Sequence, residues 1–211
     1  MRAALAALLV AFIAAPAAAG PREDALAALA DRGDVEARRR AALTLADAGT
    51  MADAPALLAA LRDPDARVRV LAERALWEVW SRSGSEEVDD LLRAGIVEMQ
   101  HGQLEASIDT FSEVIRRRPD FAEGWNKRAT LYYLVGEYRK SAADCDEVLK
   151  RNPAHFGALS GYGMIWLRLD EPARALERFE QALAVNPNLD SVRETIEGLR
   201  ALLIQQRRNA I

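Results

Sequence analysis

The chain has 211 residues, half of them hydrophobic but only 6% aromatic, so its core must be built largely from alanine and leucine. Its 28 basic and 32 acidic residues give a formal charge of −4, which disfavours nucleic acid, because phosphate attraction needs a basic face. The single cysteine, Cys145, excludes an internal disulfide.

The first segment, 1–19, combines the charge of Arg2, an apolar run from Ala3 to Ala15, and Ala17, Ala18 and Ala19 before Gly20. It reads as a cleaved secretory signal, too short for a membrane span, with an uncleaved anchor as the alternative. An Ala- and Arg-rich composition behind such a leader suggests a bacterial periplasmic protein with no integral span after cleavage. Without Arg2, 27 basic residues face 32 acidic ones, a formal charge of −5.

Residues 20–84 are patterned as helices, with breaks at Gly33-Asp34, Gly49, Asp63-Pro64 and Ser83-Gly84. The run from Leu57 to Arg69, with Asp63-Pro64 in its middle and Val68-Arg69 beyond, followed by Ala72, Ala75 and Leu76, resembles a HEAT-type repeat. A looser unit lies near Ala25 to Leu45. The alternative is an irregular helical pair, and in either case the region is expected to shield one end of the helical stack downstream. The run Arg38-Arg39-Arg40, like Arg116-Arg117-Arg118, reads as a solvated helix face. Trp77 and Trp80 have helical spacing and close this portion; core packing over the first repeat outweighs a role as exposed binding anchors.

Downstream, Pro119, Pro153 and Pro187 lie 34 residues apart, and three frames, 88–121, 122–155 and 156–189, align without a gap. Position 8 holds Gly95, Ala129 and Gly163, and position 20 holds Ser107, Ser141 and Ala175, small residues that let two helices approach closely. Position 24 holds Phe111, Cys145 and Phe179. Gly102 and Gly136 mark the turn at position 15; in the third unit Asp170 stands there and is expected to cap the helix that Pro172 opens. This pattern resembles the tetratricopeptide repeat family, which implies an all-α, right-handed solenoid of helical hairpins. Residues 190–206 read as its capping helix, with Val192, Ile196, Leu199 and Leu203 on the buried side and Arg193, Glu194, Glu197, Arg200 and Gln206 on the wet one.

The resemblance implies a concave groove lined by the first helix of each hairpin. Carried over by position, it assigns Leu92, Ile96 and Met99 from the first unit. The second contributes Glu123, Asn126, Lys127, Thr130, Tyr133 and Leu134, and the third Ser160, Met164, Leu167 and Arg168. First-unit members are at least as well read as covered. Asn126 is the most informative, since an amide both donates to and accepts from a peptide backbone. Some family members clamp a partner's terminal carboxylate with lysine, asparagine and arginine. Leu92, Ile96, Gly157 and Gly161 stand at those positions, so an EEVD-like tail is disfavoured and an apolar or helical segment fits better. His101 and His155 fall on turns without partners in sequence, and no nucleophile elbow, phosphate loop or dinucleotide fingerprint is present. The expected function is a periplasmic scaffold that binds an unidentified protein or peptide, with no cofactor and no catalysis. A self-associating envelope protein is the alternative.

Overall fold

A computed structural model describes residues 20–209; the secretory leader expected over 1–19 lies outside them, as do 210–211. The described residues are helical, with short turns and no strand. Helices α1 (Pro21–Ala30) and α2 (Val35–Ala48) form the first hairpin, and a short turn at Met51–Asp53 leads to α3 (Ala54–Ala60) and α4 (Ala66–Trp80). Helix starts follow local chemistry. Asp34 caps α2 through Ala37 N and Asp65 caps α4 through Val68 N, each at 2.9 Å.

These two hairpins stack through Leu45, Leu57, Leu61, Val68, Leu76 and Val79, none of them accessible to solvent. Arg38 departs from the expected solvated face. It is 4% exposed, and its guanidinium bonds Asp63 at 2.7 and 3.3 Å and the Asp31 carbonyl at 3.0 Å. Next to it Arg39 grips Asp65 at 2.6 and 3.1 Å. The Asp63-Pro64-Asp65 turn is therefore held from α2 by two adjacent forks, and the Arg38 charge is buried because its counter-ion is buried with it.

The repeat region supplies α5 (Glu86–Gln100), α6 (Leu104–Arg117), α7 (Ala122–Leu134), α8 (Tyr138–Arg151), α9 (Phe156–Arg168) and α10 (Pro172–Val185), three hairpins stacked in chain order. Inside each hairpin, the position-8 and position-24 residues are matched in size. A Cβ on Gly95 would fall 2.6 Å from the Phe111 ring, and one on Gly163 would fall 2.6 Å from Phe179. The middle hairpin carries alanine against cysteine at these places. Position 20 adds a lock: Ser107 Oγ donates to the Gly95 carbonyl at 2.7 Å, and Ser141 Oγ to the Ala129 carbonyl at 2.6 Å. At position 15, Asp170 differs from its expected capping role. It takes φ 58°, the left-handed conformation of Gly102 (74°) and Gly136 (81°), and Glu171 becomes the N-cap. Helix α11 (Asp190–Asn209) covers the last hairpin with Val192, Ile196 and Leu199, while its other face is exposed as expected.

The N-terminal half does not shield an end of this stack. It lies along one edge, across the turns between hairpins. At one end of the edge Arg62 donates to the Val185 carbonyl (3.1 Å) and to that of Ala184, at the C-terminus of α10. Arg69 donates to Asn188 Oδ1 at 2.8 Å, Asn188 Nδ2 to the Leu61 carbonyl at 2.8 Å, and Asn186 Nδ2 to Glu73 at 3.0 Å. One turn earlier in the stack, Trp77 and Trp80 surround His155 and Phe156, with centroid separations of 4.4–5.4 Å. The Trp pair is core, as its spacing implies, yet it packs on the start of the third repeat and not on the first. Helix α4, about 22 Å long at 1.5 Å per residue, is long enough to reach several turns.

Gly157 is where this docking is tightest, because a Cβ there would collide with the six-membered ring of Trp77. Gly157→Ala is expected to cost about 1–3 kcal/mol by overpacking, measured by urea denaturation. Gly161→Ala, four residues on in the same helix with nothing within 4 Å of its added Cβ, is the matched control and should not destabilise. Equal effects of the two would remove Trp77 from that contact.

Candidate partner-binding groove

Helices α7 and α9 stand side by side on the concave face, and between them lies a cleft of about 150 Å³. Asn126, Thr130 and Tyr133 line it from α7, and Gly157, Gly161 and Met164 from α9. Ala129, Ser141, Cys145 and Ile165 lie behind them. Glycine stands at two successive groove positions of α9, and only the second leaves open space. Trp77 fills the space over Gly157, whereas the space over Gly161 is open.

The polar members are held in place. Asn126 Nδ2 donates to Glu123 Oε2 at 3.1 Å, which turns its amide oxygen away from that carboxylate. Tyr133 Oη accepts from Arg168 Nε at 3.1 Å, and the Arg168 guanidinium also stands 5.7 Å from the ring centroid. Thr130 Oγ1 donates back to the Asn126 carbonyl at 3.0 Å. The apolar members are free: Met164 is 43% exposed and the neighbouring Leu134 55%. Cys145 is buried, and burial with the nearby Asp144 and Asp146 carboxylates pushes its thiol up to about 12, so it is an inert wall.

Of the residues assigned from sequence, Asn126, Thr130, Tyr133 and Met164 come together around this cleft, and Arg168 joins them through Tyr133. Lys127, Ser160 and Leu167 do not line it. Lys127 Nζ turns to Glu123 Oε1 at 3.0 Å, Ser160 Oγ donates to the Phe156 carbonyl at 2.8 Å, and Leu167 packs against the core of the third unit. In the first unit, Leu92 is buried with Phe111 and Leu131, and Ile96 and Met99 pack against the same cluster, so these three serve the hairpin itself. Glu123 is also withdrawn from the groove, fully buried with its carboxylate turned to His155.

That burial is explained by a residue whose role the sequence hid. His155, fully buried, caps α9 by accepting from Ala158 N at Nδ1 (3.0 Å), so its proton sits on Nε2 and is donated to Glu123 Oε2 at 3.0 Å. Its ring stacks on Trp80 at 4.4 Å. Burial alone would raise the Glu123 carboxyl, but the His155 hydrogen bond and the Lys127 ammonium outweigh it and hold the group below its ordinary value. The groove wall thus rests on a buried, charged node in which Glu123 Oε2 accepts from His155 and Asn126 while Oε1 is held by the Lys127 ion pair without a well-formed hydrogen bond. Among the described residues no cluster of histidine, cysteine, aspartate and glutamate suits a metal ion, and no helix is long and apolar enough to cross a membrane.

A family profile described as tetratricopeptide repeat matches residues 92–148 and 127–190. A TPR repeat-containing protein of Rhizobium etli is 34% identical over 146 residues, which cover 69% of this chain and 71% of that protein. Among solved structures, the Sgt2 TPR domain from Aspergillus fumigatus superposes with a TM-score of 0.56 at 21% identity, covering 60% of this chain and 85% of that one. The first TPR of Spaghetti (RPAP3) bound to the HSP90 peptide SRMEEVD gives 0.55 at 19% identity, covering 57% of this chain and 95% of that one. These two structural likenesses are likenesses of fold.

Proposed function

The chain belongs to the tetratricopeptide repeat family, and on that footing we propose that it is a protein-interaction scaffold whose α7/α9 cleft receives an apolar-anchored segment of a partner protein. The observation that carries this reading is the open space over Gly161, flanked by Met164, Tyr133 and the fixed amide of Asn126. An apolar side chain fits the volume, and the amide oxygen can accept from the N–H of an extended backbone. A few such anchors, set against ordering costs, correspond to a Kd on the order of micromolar.

The site offers little to a carboxylate tail. Leu92 is buried, Gly157 and Gly161 have no side chain, and Lys127 is already paired with Glu123. The peptide SRMEEVD, bound by the RPAP3 domain, is therefore expected to bind this chain no better than a scrambled version. The test is selection of binders from a random peptide library. The wild type should enrich sequences with apolar anchors, and Asn126→Ala combined with Tyr133→Ala should lose them by at least tenfold while helicity is unchanged. Full enrichment by the double variant would remove the cleft from the account.

We place the mature protein in a bacterial periplasm on the strength of Arg2, the Ala3 to Ala15 run and the small residues before Gly20; a mature N-terminus at Gly20 in the periplasmic fraction is the expected result. A self-associating envelope protein is the second reading, favoured by Leu202 and Ile204, 42% and 53% exposed in the last turns of α11. Sedimentation that does not change with concentration would dispose of it.

A further inference from the structure

Where the end of α4 meets the turn between α6 and α7, the two halves flank a second, solvent-open pocket of about 130 Å³, roughly the space of four waters. Two buried side chains in its wall hold donors that meet no acceptor among the described residues: Trp80 Nε1, on a residue 3% exposed, and Asn152 Nδ2, on one 6% exposed. Buried N–H groups are almost always paired, but these two atoms are closed to water, so an acceptor in the pocket meets them only if the wall shifts. Three arginines complete the wall. Arg82 is spent only on the Gly49 and Ala46 carbonyls, Arg118 on the exposed Asp120 at 3.1 Å, and Arg151 on Glu147 and the Pro119 carbonyl. Asp120 is the one carboxylate in the lining itself, while Glu147 pairs with Arg151 and Asp89, which accepts from Ser83 N, acts on Arg118 from behind the wall. The first residue of α7, Ala122, lies in the same wall, and its N-cap, Phe121, supplies no side-chain acceptor, so the positive end of that helix adds to the field.

We propose that this pocket is a binding site for a small oxyanion, a phosphate or carboxylate group, held by the guanidinium groups of Arg82, Arg118 and Arg151. Three cationic side chains in the wall repel metal cations, and guanidinium forks match the geometry of an oxyanion. Local potential agrees with this. Asp120 is held below the usual carboxylate range, first by its hydrogen bond from Arg118 and further by the charge of Arg151. Arg82 comes from the N-terminal half, and Arg118 and Arg151 flank the turn at Pro119, so a bound anion ties the halves together at a point away from the peptide cleft.

Thermal unfolding of the whole chain, followed by circular dichroism while inorganic phosphate or acetate replaces chloride at constant ionic strength and millimolar concentration, tests this. At about one hundred times its Kd, at least one anion should raise Tm by roughly 5–10 °C. Arg118→Gln, which gives up only the exposed Asp120 pair, should abolish the rise, and Asp120→Asn should reach it at several-fold lower concentration. A response to phosphate alone, to acetate alone, or to both identifies the chemical source and supports the site. No rise in the wild type, or an equal rise in Arg118→Gln, overturns it.

Discussion

Trp80→Ala is expected to cost about 3–5 kcal/mol of stability, a fall in Tm of roughly 6–20 °C for a chain of this size. Trp80 is 3% exposed, stacks on His155 at 4.4 Å with planes 24° apart, meets Phe156 at 5.0 Å, and presents an edge to Trp77 at 5.6 Å. It is the residue through which the N-terminal hairpins hold the edge of the repeat stack. Its loss leaves a void between two halves that cannot collapse freely, because each is fixed by its own core. Leu202→Ala, at a residue 42% exposed, should cost less than about 0.5 kcal/mol by contrast. Chemical denaturation with near-ultraviolet circular dichroism reads both variants. A loss under about 1 kcal/mol for Trp80→Ala would mean that the halves are not held together at this point.

His155→Ala is expected to be as severe, about 3–5 kcal/mol, for a different reason. It removes the α9 cap and leaves the fully buried Glu123 with only Lys127 and Asn126 against its charge. The penalty lies in the stranded carboxylate, so replacing the pair together, His155→Leu with Glu123→Leu, should recover a large part of it. A double variant as unstable as His155→Ala alone would show that the cap, and not the carboxylate, matters. The same node sets an acid limit. Because the Glu123 carboxyl is held below its ordinary value of 4.5 in the folded protein, its contribution is fully present above that pH and is lost as pH falls through the lower folded value. Stability measured from pH 7 down to pH 3 should therefore show an acid-dependent loss that is smaller in Glu123→Gln. Identical profiles would contradict the paired, ionised state of Glu123.

The repeat was legible because its physics is local and periodic. Gly95 against Phe111 and Gly163 against Phe179 are size-matched partners 16 residues apart in each frame, and the prolines repeat with the same period as the frames. The cap was legible for the same reason, from the spacing of Val192, Ile196 and Leu199. Docking of the halves was not. The helical spacing of Trp77 and Trp80 says that they are buried but not by what, and their partners, His155 and Phe156, lie far along the chain. Arg38 looked solvated because its counter-ion, Asp63, is 25 residues away. Glu123 stands in full groove register, yet it is buried with its carboxylate hydrogen-bonded to His155, 32 residues away. Position 34 of the repeat carries Phe121 and Leu189 in the other units, which gives no hint that a histidine there is a helix cap. The cleft was half legible. Asn126, Thr130, Tyr133 and Met164 follow from register, but the different fates of Gly157 and Gly161, one filled by Trp77 and one open, depend on a contact between distant segments.

The N-terminal half grips the edge of the stack, fills the Gly157 end of the hollow between α7 and α9 with Trp77, and leaves the Gly161 end open. Thiol labelling of Gly161→Cys measures this directly, since the native Cys145 is 2% exposed with its thiol pushed up to about 12 and contributes no background. Maleimide should modify the folded variant nearly as fast as the unfolded one, and a selected apolar peptide should protect it. A folded variant that resists labelling would mean that the chain itself fills the hollow.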